Sequence, residues 1–400
     1  MRVFVILFLI FPPVLFAKAT QEEVEVKTIL VWIKADRDGK PVTGLTANDF
    51  EIEEDGKKMQ STCFEEFVFP TQTEAQPAEP QTQENSADAI FTGKRIAIFF
   101  DQYNTSEPEY QYMHKRLIEF LNQMDEKELE VMLAAYPPYE RVVPFTDDVN
   151  EVLTELDELS GNLHREQDMM FKRKQIINIL EKRPFNSALL AAAVDKALGY
   201  QAEEIEMARH VLKALDDLGS YLNELQQNDH TVVLLISGGL NIEVGRQYFD
   251  LIRAKTGEEE QGLPLGGLRG AAWDLRKEIK EAVARLNLNN ITIYTINTRG
   301  PISVVTEATE FDKKYLPKDN EYLRDHQEMM DIIANETGGI SFKNSLNFKF
   351  GFNQVMNDLD HQYLVCYRAP EHKDSGDYHK IKVKTKEKGI NLRHREGYID

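Results

Sequence analysis

The sequence predicts an α/β fold: a mainly parallel, Rossmann-like sheet with helices on both faces, inserted in or flanked by a small β-sandwich. Three observations predict it. Between residues 91 and 362, strand-like and helix-like stretches alternate, the pattern of a sheet whose crossovers are helices. Within that region the runs 96–100, 231–236 and 291–296 are continuously apolar, as strands covered on both faces require. Finally, β-prone segments with turn signals occupy both ends of the chain, which suggests that they pair around an insertion whose termini lie close together.

Taken in order, the first 19 residues carry Arg2, an apolar run and the small-x-small ending Ala17-Lys18-Ala19. That is the pattern of a cleavable secretory leader, and the run is shorter than the roughly 20 residues that span a bilayer. The mature chain is therefore expected in a secreted or periplasmic compartment, without a transmembrane segment. Residues 20–69 form an amino-terminal β segment, with Asp38-Gly39 and Asp55-Gly56 as turns. A linker is expected at 70–90, where Pro, Gln, Glu, Thr and Ser leave too little apolar surface to offset ordering entropy. The α/β region follows over 91–361, with a helical insertion at about 163–226, a break considered near Gly199, and a Gly- and Glu-rich loop after the second buried strand. Within the insertion, Ile205, Leu212, Leu215, Leu218, Leu222 and Leu225 recur at near-helical spacing and read as core. Residues 362–400 return to β, as three strands.

Charge narrows the partners. A net charge of −20 argues against nucleic acid, whose phosphates such a surface repels, and suits basic partners. Cys63 and Cys366 are the only cysteines. In an exported protein they either bond to each other or remain as buried thiols, and their separation does not match a structural zinc site.

Ligands of open α/β sheets bind beyond the carboxyl ends of the strands. Here those ends read Asp101-Gln102-Tyr103-Asn104-Thr105-Ser106, Ser237-Gly238-Gly239-Leu240-Asn241 and Asn297-Thr298-Arg299-Gly300. Short oxygen-bearing side chains with one carboxylate could hold a hard cation, or could simply cap helices and form turns. Enzyme motifs fail: Leu235 stands where a nucleophile elbow around Ser237 needs Gly, and no His-Glu-x-x-His or phosphate-cradling loop occurs. No catalytic residue is expected.

The strand ends resemble those of von Willebrand factor A domains, whose metal-ion-dependent adhesion site begins with Asp-x-Ser-x-Ser. Carried over by position, that motif falls on Asp101, Tyr103 and Thr105, the family's Thr on Ser187 and its second Asp on Ser237. Tyr103 and Ser237 depart from the pattern. The stretch from Asp38 to Lys57, with Gly44-Leu45 and Asp49-Phe50, and the tail motifs Tyr363-Leu364-Val365-Cys366-Tyr367 and Arg393-x-Arg395-x-Gly397-Tyr398 look like the related acidobacterial family.

The resemblance implies an exported, non-enzymatic protein-binding module with a degenerate metal site at Asp101, Thr105, Ser187 and Ser237. Tyr103, Asn104 and Asn241 would form its binding face, and no cofactor is expected beyond weak magnesium or manganese. A Cys63–Cys366 disulfide would staple the two β segments. A metal-dependent adhesin working through Asp101 and a self-assembling envelope scaffold are the alternatives.

Overall fold

The computed structural model describes residues 27–68, 94–122, 129–136, 140–163, 165–225, 231–256, 272–299, 321–343, 348–370 and 376–400. The expected leader and linker, residues 262–270 and Gly300 lie outside them.

The amino-terminal segment forms β1 (Thr28–Arg37), β2 (Lys40–Pro41), β3 (Phe50–Glu54), β4 (Lys57–Met59) and β5 (Ser61–Val68). Asp38-Gly39 and Asp55-Gly56 make the tight turns, all four with positive φ, which Gly and Asp tolerate best. There follow β6 (Lys94–Asp101), α1 (Glu107–Leu121), β7 (Leu129–Tyr136), β8 (Glu140–Thr146), α2 (Val149–Glu158), α3 (Arg165–Leu180) and α4 (Ser187–Leu225). Next are β9 (Thr231–Ser237), β10 (Glu243–Val244), α5 (Arg246–Thr256), β11 (Trp273–Asp274), α6 (Arg276–Asn287), β12 (Ile291–Asn297), α7 (Glu321–Glu336), β13 (Ser341–Phe342) and α8 (Phe348–Asp360). The tail supplies β14 (His361–Arg368), β15 (Tyr378–Thr385), β16 (Asn391–Arg393) and β17 (Gly397–Ile399). Among the described residues no helix is long and apolar enough to cross a membrane.

Six strands in the order β13-β12-β9-β6-β7-β8 make one sheet. The pairings of β12 with β13 and β9, and of β6 with β9 and β7, are parallel, whereas β8 runs against β7. Alternate side chains of its strands point to opposite sides. On one, Phe99, Leu235 and Ile293 pack with Leu215 of α4, Val283 of α6 and Ile333 of α7. On the other, Ile98, Phe100 and Leu234 pack with Leu117 of α1, Val152 of α2 and Val355 of α8.

The two chain ends build a second core. β16-β1-β14-β5, with β2 beside β1, face β17-β15-β3-β4. Val31, Ile33, Ile52, Val365, Ile381 and Tyr398 fill the space between them. Cys63 and Cys366 are direct partners across β5 and β14, with Cα atoms 4.9 Å apart, and are disulfide-bonded.

These pairings correct the expected fold class. Of the thirteen strand pairings among the described residues, four are parallel and nine antiparallel. Parallel pairing is confined to one sheet, and that sheet is mixed, so the molecule is a mixed α/β fold rather than a mainly parallel, Rossmann-like one. Nor is the flanking β structure small, with nine strands against the six of the mixed sheet. The physical reason is that a continuously apolar run reports burial on both faces but not the direction of a neighbour. The connection from β7 to β8 is only three residues, far too short for the crossover that parallel strands need.

Three further differences are local. α4 runs unbroken through Gly199. The stretch read as a loop after β9 contains α5, whose Tyr248, Phe249, Leu251 and Ile252 are buried. With Ile176, Ile177 and Leu180 of α3 and Leu190, Ala193 and Ala197 of α4, these residues make a separate helical core. The third tail strand is split into β16 and β17.

Candidate functional site

The site is built where β6 and β9 end. α1 begins at Ser106, whose side chain caps the N3 backbone while Glu109 reaches back to the Ser106 N–H at 2.7 Å. This box, with Pro108 in the first turn, ends β6 sharply and folds the 101–105 loop over the sheet edge. Gly161 packs against that corner. A Cβ there would lie 2.5 Å from the Ser106 carbonyl oxygen, so only glycine permits the approach. Asn162 then holds the loop by donating its backbone N–H to Thr105 O at 2.8 Å and its side-chain amide to Tyr103 O at 3.2 Å.

Asp101 is fully buried. Its Oδ1 accepts the Asn104 backbone N–H at 3.0 Å, and its Oδ2 accepts the Asn104 side-chain amide at 2.8 Å and the Ser237 hydroxyl at 2.6 Å. Ser237 in turn accepts the Gly239 N–H at 2.9 Å. Gly239 has φ +76°, and a Cβ on it would meet the His326 carbonyl oxygen at 2.4 Å, so α7 closes tightly on this loop. The third strand end joins in: Thr298 donates its N–H to Ser237 O at 3.1 Å.

Beside this network lies a pocket of about 90 Å³ lined by the expected face residues Tyr103, Asn104 and Asn241. Tyr103 is partly buried and packs against the apolar layer of the mixed sheet. The opposite wall comes from the helical insertion: Asp168, Met169 and Lys172 of α3, and Glu204, Met207 and Ala208 of α4. Leu240, Val244, Asn162 and His326 complete it. Lys172 donates to Glu203 at 2.9 Å and its ammonium sits 5.4 Å from the Tyr200 ring centroid. Burial pulls its pKa down, but Glu203 and then Glu204 outweigh that and leave it raised. The Tyr248 hydroxyl donates to Glu204, and burial followed by that carboxylate pushes the phenol well above its ordinary range.

Ser187 is not brought to this site. It is exposed at the first turn of α4, and Glu204 is 17 residues further along the same helix, about 26 Å at 1.5 Å per residue. The divalent ion implied by the family resemblance is therefore poorly matched. One carboxylate is present, three protein hydrogen bonds already engage its two oxygens, and magnesium or manganese affinity depends on carboxylate number and open oxygen ligands. Thr105 Oγ1, buried without a hydrogen-bond partner, is the single feature that points the other way.

A second titratable cluster was not singled out from sequence. Glu54, Asp55 and His379 bring ligand-type atoms within 4.8 Å of one another. Glu54 accepts from the Tyr367 hydroxyl and, at 3.0 Å, from that of Tyr398. Asp55 meets His379 Nδ1 at 2.9 Å and accepts the Lys380 N–H at 2.9 Å. These contacts clasp the β3–β4 turn to β15. The residues lie 324 positions apart, so no sequence spacing could have exposed them. The same holds for Lys172 and Glu204, which look in sequence like solvated helix positions.

No protein-family model matches the sequence, and a search of curated proteins finds no match either.

Proposed function

We propose that the protein is an exported, non-enzymatic binding module of the von Willebrand factor A type. It would use the face around Tyr103, Asn104 and Asn241 to hold a protein partner without a metal ion. The observation that carries this reading is the closed hydrogen-bond set on Asp101. A buried carboxylate satisfied by Asn104 and Ser237 has no need of a cation, and the residue becomes a strut that shapes the face. Pocket size supports a protein rather than a cofactor as ligand. About 90 Å³ is well below the roughly 300–1,000 Å³ of small-molecule sites and suits one inserted side chain. Against an enzyme, Ser237 and Asp101 are both fully buried, and the Ser237 hydroxyl donates to Asp101 and accepts from Gly239 inside the loop network rather than facing a substrate.

The metal-dependent adhesin stays as the second reading on the strength of Thr105 Oγ1 alone. Titration of the leaderless protein with magnesium and manganese, alongside partner capture from an envelope extract, separates the two. Metal-independent capture that is lost in Tyr103→Ala and in Asn241→Ala is expected. Capture abolished by chelator and restored by magnesium would transfer the role to the adhesin, and capture indifferent to both face variants would remove the face from it.

A further inference from the structure

A second cavity, of about 470 Å³, opens at the β13 edge of the mixed sheet, between β13, α8 and the sandwich. It shares no lining residue with the Tyr103 pocket. Residues 340–343 line it without a gap. Successive side chains of a strand point to opposite faces, so a cavity that touches all four follows the strand's edge rather than lying over one face. Its volume admits many ligands, and the backbone along this wall narrows them.

Thr295 of β12 stands opposite Ser341, and its N–H donates to the Ile340 carbonyl at 3.1 Å. In a parallel ladder this register turns the N–H and C=O of Ser341 away from β12. β13 ends the sheet, so among the described residues no strand pairs with them. Such a donor and acceptor side by side are a template for one more extended chain. The charges around the cavity are already matched within the protein. Lys343 pairs with Asp331, and Arg393 with Asp358 at 2.6 Å. Asp36 accepts the Gly39 N–H at 3.2 Å and lies 4.0 Å from the Arg393 guanidinium. A charged ligand would give up hydration without gaining an unmatched partner, which favours an uncharged one. The apolar part of the lining includes Phe342 and Phe350. Phe350 is 67% exposed, and covering it would remove apolar surface from water.

We infer that this edge receives an extended, uncharged segment of a protein partner, which pairs with the Ser341 N–H and C=O and lays apolar side chains against Phe342 and Phe350. The site goes beyond the Tyr103 face and does not depend on it.

The test uses the full mature chain and the capped pentapeptide Thr-Val-Thr-Val-Thr, followed by NMR chemical shifts and amide hydrogen exchange. Binding is expected to shift the amide resonances of Ser341 and its neighbours and to slow exchange at Ser341. A control peptide N-methylated at its three central residues should bind about tenfold weaker, as should forms with Lys or Glu in place of both Val residues. Ser341→Pro removes the outward N–H and leaves the bonds to β12 in place, and should also weaken the peptide about tenfold. Phe350→Ala, at an exposed position, leaves the fold undisturbed and should weaken it about fivefold. No binding of the pentapeptide, equal binding of the N-methylated or charged forms, shifts that bypass Ser341, or unchanged binding in either variant would overturn the assignment. Exchange at Ser341 that slows with rising protein concentration in the absence of peptide would give the edge to a second copy of the chain and overturn it as well.

Discussion

Asp101 carries the most chemistry per atom at this site, and its role follows from what it accepts. Replacing it with Ala would strand the Ser237 hydroxyl and the two Asn104 donors in a buried setting, each unmet group costing about 1–3 kcal/mol. Asp101→Ala is therefore expected to lose about 3 kcal/mol of stability by denaturant titration, and to lose it equally in chelator and in magnesium. A loss seen only with magnesium present would mean that the carboxylate works as a metal ligand after all. At this scale sequence was a fair guide to place and a poor one to partners. The rule that ligands bind at strand ends picked out Asp101, Tyr103, Asn104 and Asn241, which do converge. The bond from Ser237 to Asp101 spans 136 positions and could not be seen by spacing.

At the scale of elements, the sharpest contrast lies in α4. Ser187 was carried over from a family pattern, but the helix is started by Asn186, whose Oδ1 accepts the Leu189 N–H at 3.0 Å. Asn186→Ala should cost about 1 kcal/mol in thermal unfolding, whereas Ser187→Ala should change stability by less than about half of that, and neither should alter partner capture by the Tyr103 and Asn241 face. A strong effect of Ser187→Ala on the pocket would show that the helix start reaches the site by some movement. Helix and strand periods were legible for most elements because each buries a regular face. α5 was missed because its buried Tyr248, Phe249, Leu251 and Ile252 sit between glycine-rich stretches and look like loop by composition. Gly161 shows the same limit. Its need for glycine comes from the Ser106 backbone 55 positions away, and Gly161→Ala is expected to destabilise the chain by at least about 1–3 kcal/mol and to broaden resonances of the 101–105 loop.

For the whole molecule, the question is what ties the sandwich to the mixed sheet. The Cys63–Cys366 bond closes a loop of 303 positions within the sandwich. Cys63→Ser with Cys366→Ser should lower stability by about 2–5 kcal/mol, measured as a fall in the denaturant midpoint under oxidising conditions. Between the two layers the ties are polar. Arg393 of β16 grips Asp358 of α8 at 2.8 and 2.6 Å, and Lys34 of β1 donates to the Thr292 hydroxyl of β12 at 2.7 Å. Burial pushes the Lys34 ammonium from its ordinary 10.5 down to about 7, with Asp358 resisting and Arg393 adding to the fall. From pH 7 to 10.5 the unfolded chain therefore holds a proton that the folded one has released, so stability rises with pH across that window, by at most about 5 kcal/mol from this residue. Near its upper end the trend reverses, because burial and then Glu54 hold the Tyr398 phenol protonated in the fold after it has ionised in the unfolded chain. Lys34→Met should flatten the rise between pH 7 and 10 and stabilise the protein near pH 7, as read from urea midpoints across that range. An unchanged slope in the variant would mean that Lys34 keeps an ordinary pKa and that the layers are joined by the Arg393–Asp358 pair without its help.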